Sequence, residues 1–394
     1  MVLFRSLSPA ATAANLLLSA MTTSATPQQD PLLPTFQHAQ NQPHLPSVHP
    51  AADPVLIDPA GVYLRATPLR TNTSSGAAGI LVGYTTHTPT LTTLRVARSL
   101  DSARSWHPLP DVWQVPRDAH DVDNAMPLQL PSGRILYAFR NHDRDAAGAY
   151  TRFRITVCAS DDGGGSWRFL SHVEDRAPYG AFSGVWEPFL RVGRGGGGEV
   201  QVYYSSEKGG EQENLVRMSR DGGETWGAPG VVSEGRRSRD GMVGVAEVDG
   251  RGTLICVFEG TELGPFSVMS VTSRDDGRTW GERARVYVAG GGRHAGAPQV
   301  HNVGGALVVS FMTNEGTVDV GQLDGGQMKV VTSVDGGRTW SSGGGRADGT
   351  SNGATVTADI GAHWPGMYTL DDEHFLALYS KDGIGAVSQV YRLV

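Results

Sequence analysis

Five segments of the 394-residue chain repeat one pattern, Ser-x-Asp-x-Gly-x-x-Trp: Ser99 to Trp106, Ser160 to Trp167, Ser219 to Trp226, Ser273 to Trp280 and Ser333 to Trp340. The first carries Ala103 where the others have Gly. Their tryptophans stand 61, 59, 54 and 60 residues apart, a period that fits one four-stranded sheet with its loops. The pattern supplies the parts of a tight turn between two strands. Gly takes a left-handed backbone position, Ser and Asp bond turn amides, and Trp packs beneath. Its aspartates are therefore read as fold staples with no catalytic role.

Dividing residues 51–394 by this period gives six units, five of which carry the pattern. The sixth is expected from the last strands, Gly366 to Leu370, His374 to Ser380 and Val387 to Leu393, plus a strand near Pro54 to Asp58. Such a closure ties the two ends together and removes open sheet edges. Glycine supports the same class: 52 of 394 residues, against a usual share of about 7%, favours turns and short strands over long helices. The expectation is all-β, a six-bladed β-propeller forming one domain.

Net charge of −7 and a pI near 5.9 leave no basic field to hold a polyanion, so nucleic acid is excluded as a partner. Cys158 and Cys256 each sit in an apolar run and read as buried free thiols, not as a disulfide framework. Residues 1–25 combine Arg5, an apolar stretch and small residues in the manner of a weak signal peptide, and residues 26–50 read as a disordered leader. Secretion is expected, with Asn72-Thr73-Ser74 as a single glycosylation acceptor motif compatible with it, and the apolar stretch is too short for a membrane span. No pairing of His, Cys and carboxylate has metal-ligand spacing, and no phosphate loop or serine elbow occurs. No metal or cofactor is expected, and the protein is taken as a monomer.

Propeller chemistry belongs at the mouth of the central channel, where inner strands converge. Counting from each tryptophan, Met126, Glu187, Glu247 and His301 fall at matching inner-strand positions. The second strands end in Tyr84-Thr85, Phe139-Arg140, Tyr204-Ser205, Phe258-Glu259, Phe311-Met312 and Tyr379-Ser380, so Arg140 and Glu259 are the charged members of an otherwise neutral set. Charges that the fold does not need point to a site. Glu187, Glu247 and Glu259 thus compete as the two carboxylates that glycosidic hydrolysis requires, one to protonate the leaving oxygen and one to attack or activate water.

The repeats resemble those of the Asp-box propellers, which include sialidases, sortilin-like receptors and glycosidases. Within that group the chain resembles the exo-α-L-1,5-arabinanases of glycoside hydrolase family 93. The resemblance runs through Tyr63-Leu64-Arg65-Ala66-Thr67, Asp123-Asn124, Leu128 to Leu136, Ala138 to Asp143, Gly184 to Leu190, Asp240 to Glu247, Leu254 to Glu259 and His363 to Tyr368. It implies a retaining enzyme that releases arabinobiose from linear α-1,5-arabinan, with Glu187 and Glu259 as the catalytic pair and Glu247 as substitute. Arg65, Asn124, Arg140, Asn141, His142, Asp143 and His301 are then expected to meet sugar hydroxyls, while Trp186, Trp364 or Tyr368 stacks on a sugar face. The apolar run before Glu259 favours it as the acid and Glu187 as nucleophile; the reverse stays open.

Two rivals remain. A sialidase shares the propeller, with Arg65 available for its arginine triad, but the stretch from Ala347 to Tyr391 holds no arginine for the late member. A non-catalytic binding propeller shares the staples without needing two carboxylates.

Overall fold

In the computed structural model the described residues are 45–70, 78–180, 182–194, 198–234, 238–318, 321, 323, 325–341 and 353–394. The expected signal peptide, most of the leader and Asn72 lie outside them.

Each repeat folds into the turn its residues require. In the second, Gly164 N donates to Ser160 Oγ (2.8 Å), Ser166 N to Asp162 Oδ1 (2.9 Å) and the Ser166 hydroxyl to Asp162 Oδ2 (2.6 Å). The same bonds recur around Asp101, Asp221, Asp275 and Asp335. The hydroxyls of Ser166 and Ser160, then the Ser166 amide, hold the Asp162 carboxyl down at about 2. A depressed carboxyl stabilises the fold above its unfolded value of about 3.9, and that contribution is lost as pH falls through about 2. Ala103 adopts φ 66° in the degenerate copy, the left-handed conformation that Gly164, Gly223, Gly277 and Gly337 adopt in the others.

These turns connect six antiparallel sheets, numbered here as blades in chain order. Their first strands are Gly61–Arg70, His120–Gln129, Ser183–Val192, Gly241–Glu247, Ala295–Val303 and Ala362–Thr369. Every first strand packs against the first strands of the blades before and after it, so the six close a ring around a channel. The protein is an all-β six-bladed propeller. Second strands are buried on both faces because blades stack face to face; Val200–Lys208 and Ala306–Thr313 are the clearest cases. That is why the sequence shows them as unbroken apolar runs ending in aromatic residues such as Phe258 and Phe311. Cys158 and Cys256 are buried and unpaired in these layers, and burial pushes the Cys158 thiol up to about 12.

Blade 6 is completed by the N-terminal part of the chain. Val55–Asp58 pairs with the last strand, Gly385–Leu393, as expected. So does Val48–Pro50, which lies inside the span expected to be leader. Trp106 of the first repeat bridges the seam, its Nε1 donating to Ser388 Oγ at 2.9 Å.

Candidate active site

The first strand of every blade is interrupted at the same level. Pairing with the second strand slips between Val62 and Arg65, Asp123 and Met126, Trp186 and Phe189, Gly241 and Gly244, Gly296 and Gln299, and His363 and Gly366. Each slip is a β-bulge whose first residue has positive φ: Tyr63 (55°), Asn124 (64°), Glu187 (49°), Met242 (54°), Ala297 (51°) and Trp364 (55°). None is glycine, so each costs roughly 1–2 kcal/mol of backbone strain. Six strands locked in a ring can sustain that cost, and bulges re-aim side chains where pairing breaks. The six residues form one tier of the channel, with Glu187 its carboxylate.

The residues paired just above the bulges are Thr85, Arg140, Ser205, Glu259, Met312 and Ser380. This is the second-strand set expected from sequence. Side chains of this set satisfy bulge amides of the next blade. Met242 N donates to Ser205 Oγ (3.2 Å), and Ala297 N donates to Glu259 Oε2 (2.8 Å). Ser205 Oγ also donates to Glu187 Oε2 at 3.2 Å. Glu187, at the bulge of blade 3, and Glu259, paired just above the bulge of blade 4, therefore come from neighbouring blades. Gly296 keeps room for the second carboxylate: a Cβ there would fall 2.4 Å from Glu259 Oε2.

Glu187 is half-buried and makes no ion pair within 4 Å among the described residues. Burial raises its carboxyl above the ordinary range; the Arg140 charge, the Ser205 hydroxyl, the Met242 amide and Arg239 oppose the shift without cancelling it. Arg140 is itself occupied. Its Nη2 meets Asp121 Oδ1 at 2.8 Å and Asp123 Oδ2 at 3.9 Å, and its guanidinium lies 5.3 Å from the Trp186 ring centre. Arg239 is paired with Glu207 at 3.1 Å. Arg65 differs: it is 4% exposed, sits 4.2 Å over the Tyr63 ring, donates to Leu64 O, and has no carboxylate within 4 Å among the described residues. Its Nη2 and the Oδ1 of Asn124, which is 5% exposed, have no hydrogen-bond partner among the described residues. Trp364 stands beside Tyr63 with ring centres 6.2 Å apart.

Several expected site residues lie elsewhere. Glu247 and His301 are not equivalents of Glu187; they fall below the bulges, where Glu247 pairs with Arg194 and accepts from Gly252 N, and His301 Nδ1 meets Thr369 Oγ1 at 3.2 Å. Burial lowers His301 to about 4. Met126 is core below the Asn124 bulge. Tyr368 is also at the lower end, packed on the cluster containing Leu64 and Leu376. His142 is fully buried between blades 2 and 3, ringed by Tyr150, Phe153 and Trp186, with Nε2 at 2.9 Å from Val185 O. Burial, then the Arg140 charge, lowers it to about 3. Asn141 bonds Thr156 and Asp143 pairs with Arg154 and His120, all within blade 2. Trp186 is an interblade brace stacked against Gly184, sharing one contact with the site through Arg140.

The counting from tryptophan failed because it crosses an outer strand and a loop of variable length. Glu187 lies 20 residues after Trp167, whereas Met242 lies 16 after Trp226. Met242 and Ala297, the bulge residues equivalent to Glu187, were missed for this reason. A usable signal existed: Pro188, Pro298 and Pro365 directly follow the bulge residue in three first strands, where proline is tolerated because the ladder is broken, although Pro68 and Pro127 stay paired in register in two others.

Surface clefts at Asp111–Gln114 and along Val216, Met218, Trp226, Pro229 and Arg278 hold no carboxylate pair. No protein-family model matches the chain, and no curated protein sequence does. Solved structures share its fold. A protein of unknown function from Dyadobacter fermentans aligns with TM-score 0.62 and 15% identity over 88% of this chain and 99% of that one. An α-L-arabinanase from Penicillium chrysogenum complexed with arabinobiose aligns with TM-score 0.59 and 18% identity over 86% and 94%. A sialidase from Streptococcus pneumoniae aligns with TM-score 0.52 and 11% identity over 86% and 69%. At such identities the likeness is one of fold, the sialidase-like six-bladed propeller.

Proposed function

We propose that the protein is a secreted, retaining glycoside hydrolase, acting from the chain end of linear α-1,5-L-arabinan to release arabinobiose. The observation that carries the reading is the pair Glu187 and Glu259, on neighbouring blades at the bulge and just above it. The family 93 resemblance and the fold shared with an arabinanase solved with arabinobiose support it. Glu187, whose carboxyl burial raises, holds the proton and gives it to the leaving glycosidic oxygen. Glu259, steadied by the Ala297 amide, attacks the anomeric carbon. Water then opens the glycosyl ester while Glu187, now ionised, removes its proton. This reverses the role assignment favoured by the strand sequence alone. Arg65 Nη2 and Asn124 Oδ1 offer an unsatisfied donor and acceptor to sugar hydroxyls.

Linear arabinan, with sialyl and aryl glycosides as controls, tests the reading. Wild type should release arabinobiose, and Glu187→Gln or Glu259→Gln should lower kcat on the order of a thousandfold. Arabinan turnover that survives both substitutions sinks it. A carboxylated sugar is the second reading, favoured by the one observation that Arg65 has no acidic partner among the described residues; cleavage of the sialyl glycoside in place of arabinan would select it.

A further inference from the structure

Three exposed aromatic residues stand out among the described large apolar side chains: Phe182 (73%), Tyr179 (71%) and Phe169 (48%). Phe169 lies on the outer strand of blade 2, but Tyr179 and Phe182 share the loop that enters the first strand of blade 3, the strand carrying Glu187. That loop is braced. Arg176 Nη2 donates to Gly184 O (2.6 Å) and Glu207 O (2.9 Å), Tyr179 N donates to Ser183 Oγ (3.1 Å), and Gly210 N donates to Phe182 O (3.3 Å). Phe182 also has φ 57°, a strained conformation for a bulky residue.

A chain that only needed to cross from blade 2 to blade 3 gains nothing from holding two aromatic rings in water, one of them on strained backbone. Rings held open and preorganised are suited to a flat apolar ligand face, and the face of a sugar ring is one. Phe182 precedes Glu187 by five residues, about 15 Å along the strand, a length of a few sugar rings. Other exposed apolar residues on loops at this end, Leu263, Ile360 and Ile384, are aliphatic and offer no such plane.

We propose that Tyr179 and Phe182 form an aromatic platform at the channel lip that binds the polysaccharide beyond the bond being cut. This deepens the glycosidase reading and rests on it. The platform would make the enzyme prefer polymer over short glycosides by contacts remote from the reacting carbon, raising affinity without touching chemistry.

The test compares wild type, the Tyr179→Ala/Phe182→Ala double variant and Phe169→Ala, each checked for an unaltered Tm. Retardation in native gels containing linear arabinan and steady-state release of sugar are the readouts. The double variant should lose retardation and show a KM for arabinan roughly tenfold higher with kcat held, an effect that shrinks as the substrate shortens. Phe169→Ala should migrate as wild type does. Active wild type with an indifferent double variant overturns the platform alone. Retardation that depends on both rings in a wild type releasing no sugar keeps the platform and sinks the hydrolase. Wild type neither retarded nor active sinks both.

Discussion

Glu187 combines three conditions that one residue seldom meets: a strained left-handed backbone, half-burial and a guanidinium nearby held by other acids. Burial opposes an ionised carboxylate, and Arg140 moderates the effect. Removing Arg140 should therefore push the Glu187 carboxyl further up, since the lost positive charge favoured its anion and Asp123 would lose its guanidinium neighbour, while Asp121 keeps Arg144. If Glu187 is the acid, activity falls as pH rises through its pKa, so Arg140→Gln should move the alkaline limb of kcat/KM upward. A limb that moves downward would remove Glu187 from that role. Sequence alone displayed Glu259 as a candidate because a charge among neutral equivalents is visible in a repeat, whereas Glu187 came from the count from Trp167 and the family 93 resemblance. It could not separate Arg140 from its neighbours Asn141, His142 and Asp143, since alternate residues on a strand face opposite sides and burial between blades depends on packing from the next repeat.

The repeating turn and the bulge are the two elements that place the site, and only the first announces itself. Ser, Asp, Gly and Trp recur because the turn has one chemical solution. The bulge recurs with Tyr, Asn, Glu, Met, Ala and Trp at its first position, so no composition marks it, and three prolines are its sole sequence trace. The turns also differ in tolerance. A Cβ on Gly277 would fall 2.5 Å from Tyr203 Oη and 2.9 Å from Gln201 Oε1 at φ 85°, whereas Ala103 is accommodated in its own copy. Gly277→Ala should then cost about 2 kcal/mol or more, combining backbone strain with overpacking. Urea denaturation measures this; a loss under about 0.5 kcal/mol would show that the turn absorbs the methyl.

At the scale of the whole molecule, six blades hold the channel only while the ring stays closed, and closure falls to Val48–Pro50 and Val55–Asp58 against the last strand. The period made six blades legible, and the second of these strands too; Val48–Pro50 was hidden by the proline-rich composition around it. Val48 is 6% exposed, packed with Phe375 and Tyr391, so Val48→Asp buries an unpaired charge. Hydrogen exchange of Gly385–Leu393 should quicken while the first strands of blades 2 to 4 keep their protection; unchanged protection of the last strand would mean that closure does not depend on this pairing.

The claim that two carboxylates divide one reaction across neighbouring blades is tested most directly by azide rescue of the alanine variants on an activated arabinofuranoside, with the product anomer assigned by NMR. Glu187→Ala should regain turnover and yield the azide of retained configuration, and Glu259→Ala the azide of inverted configuration. Variants that keep wild-type activity without azide, or that give one and the same anomer, would contradict it.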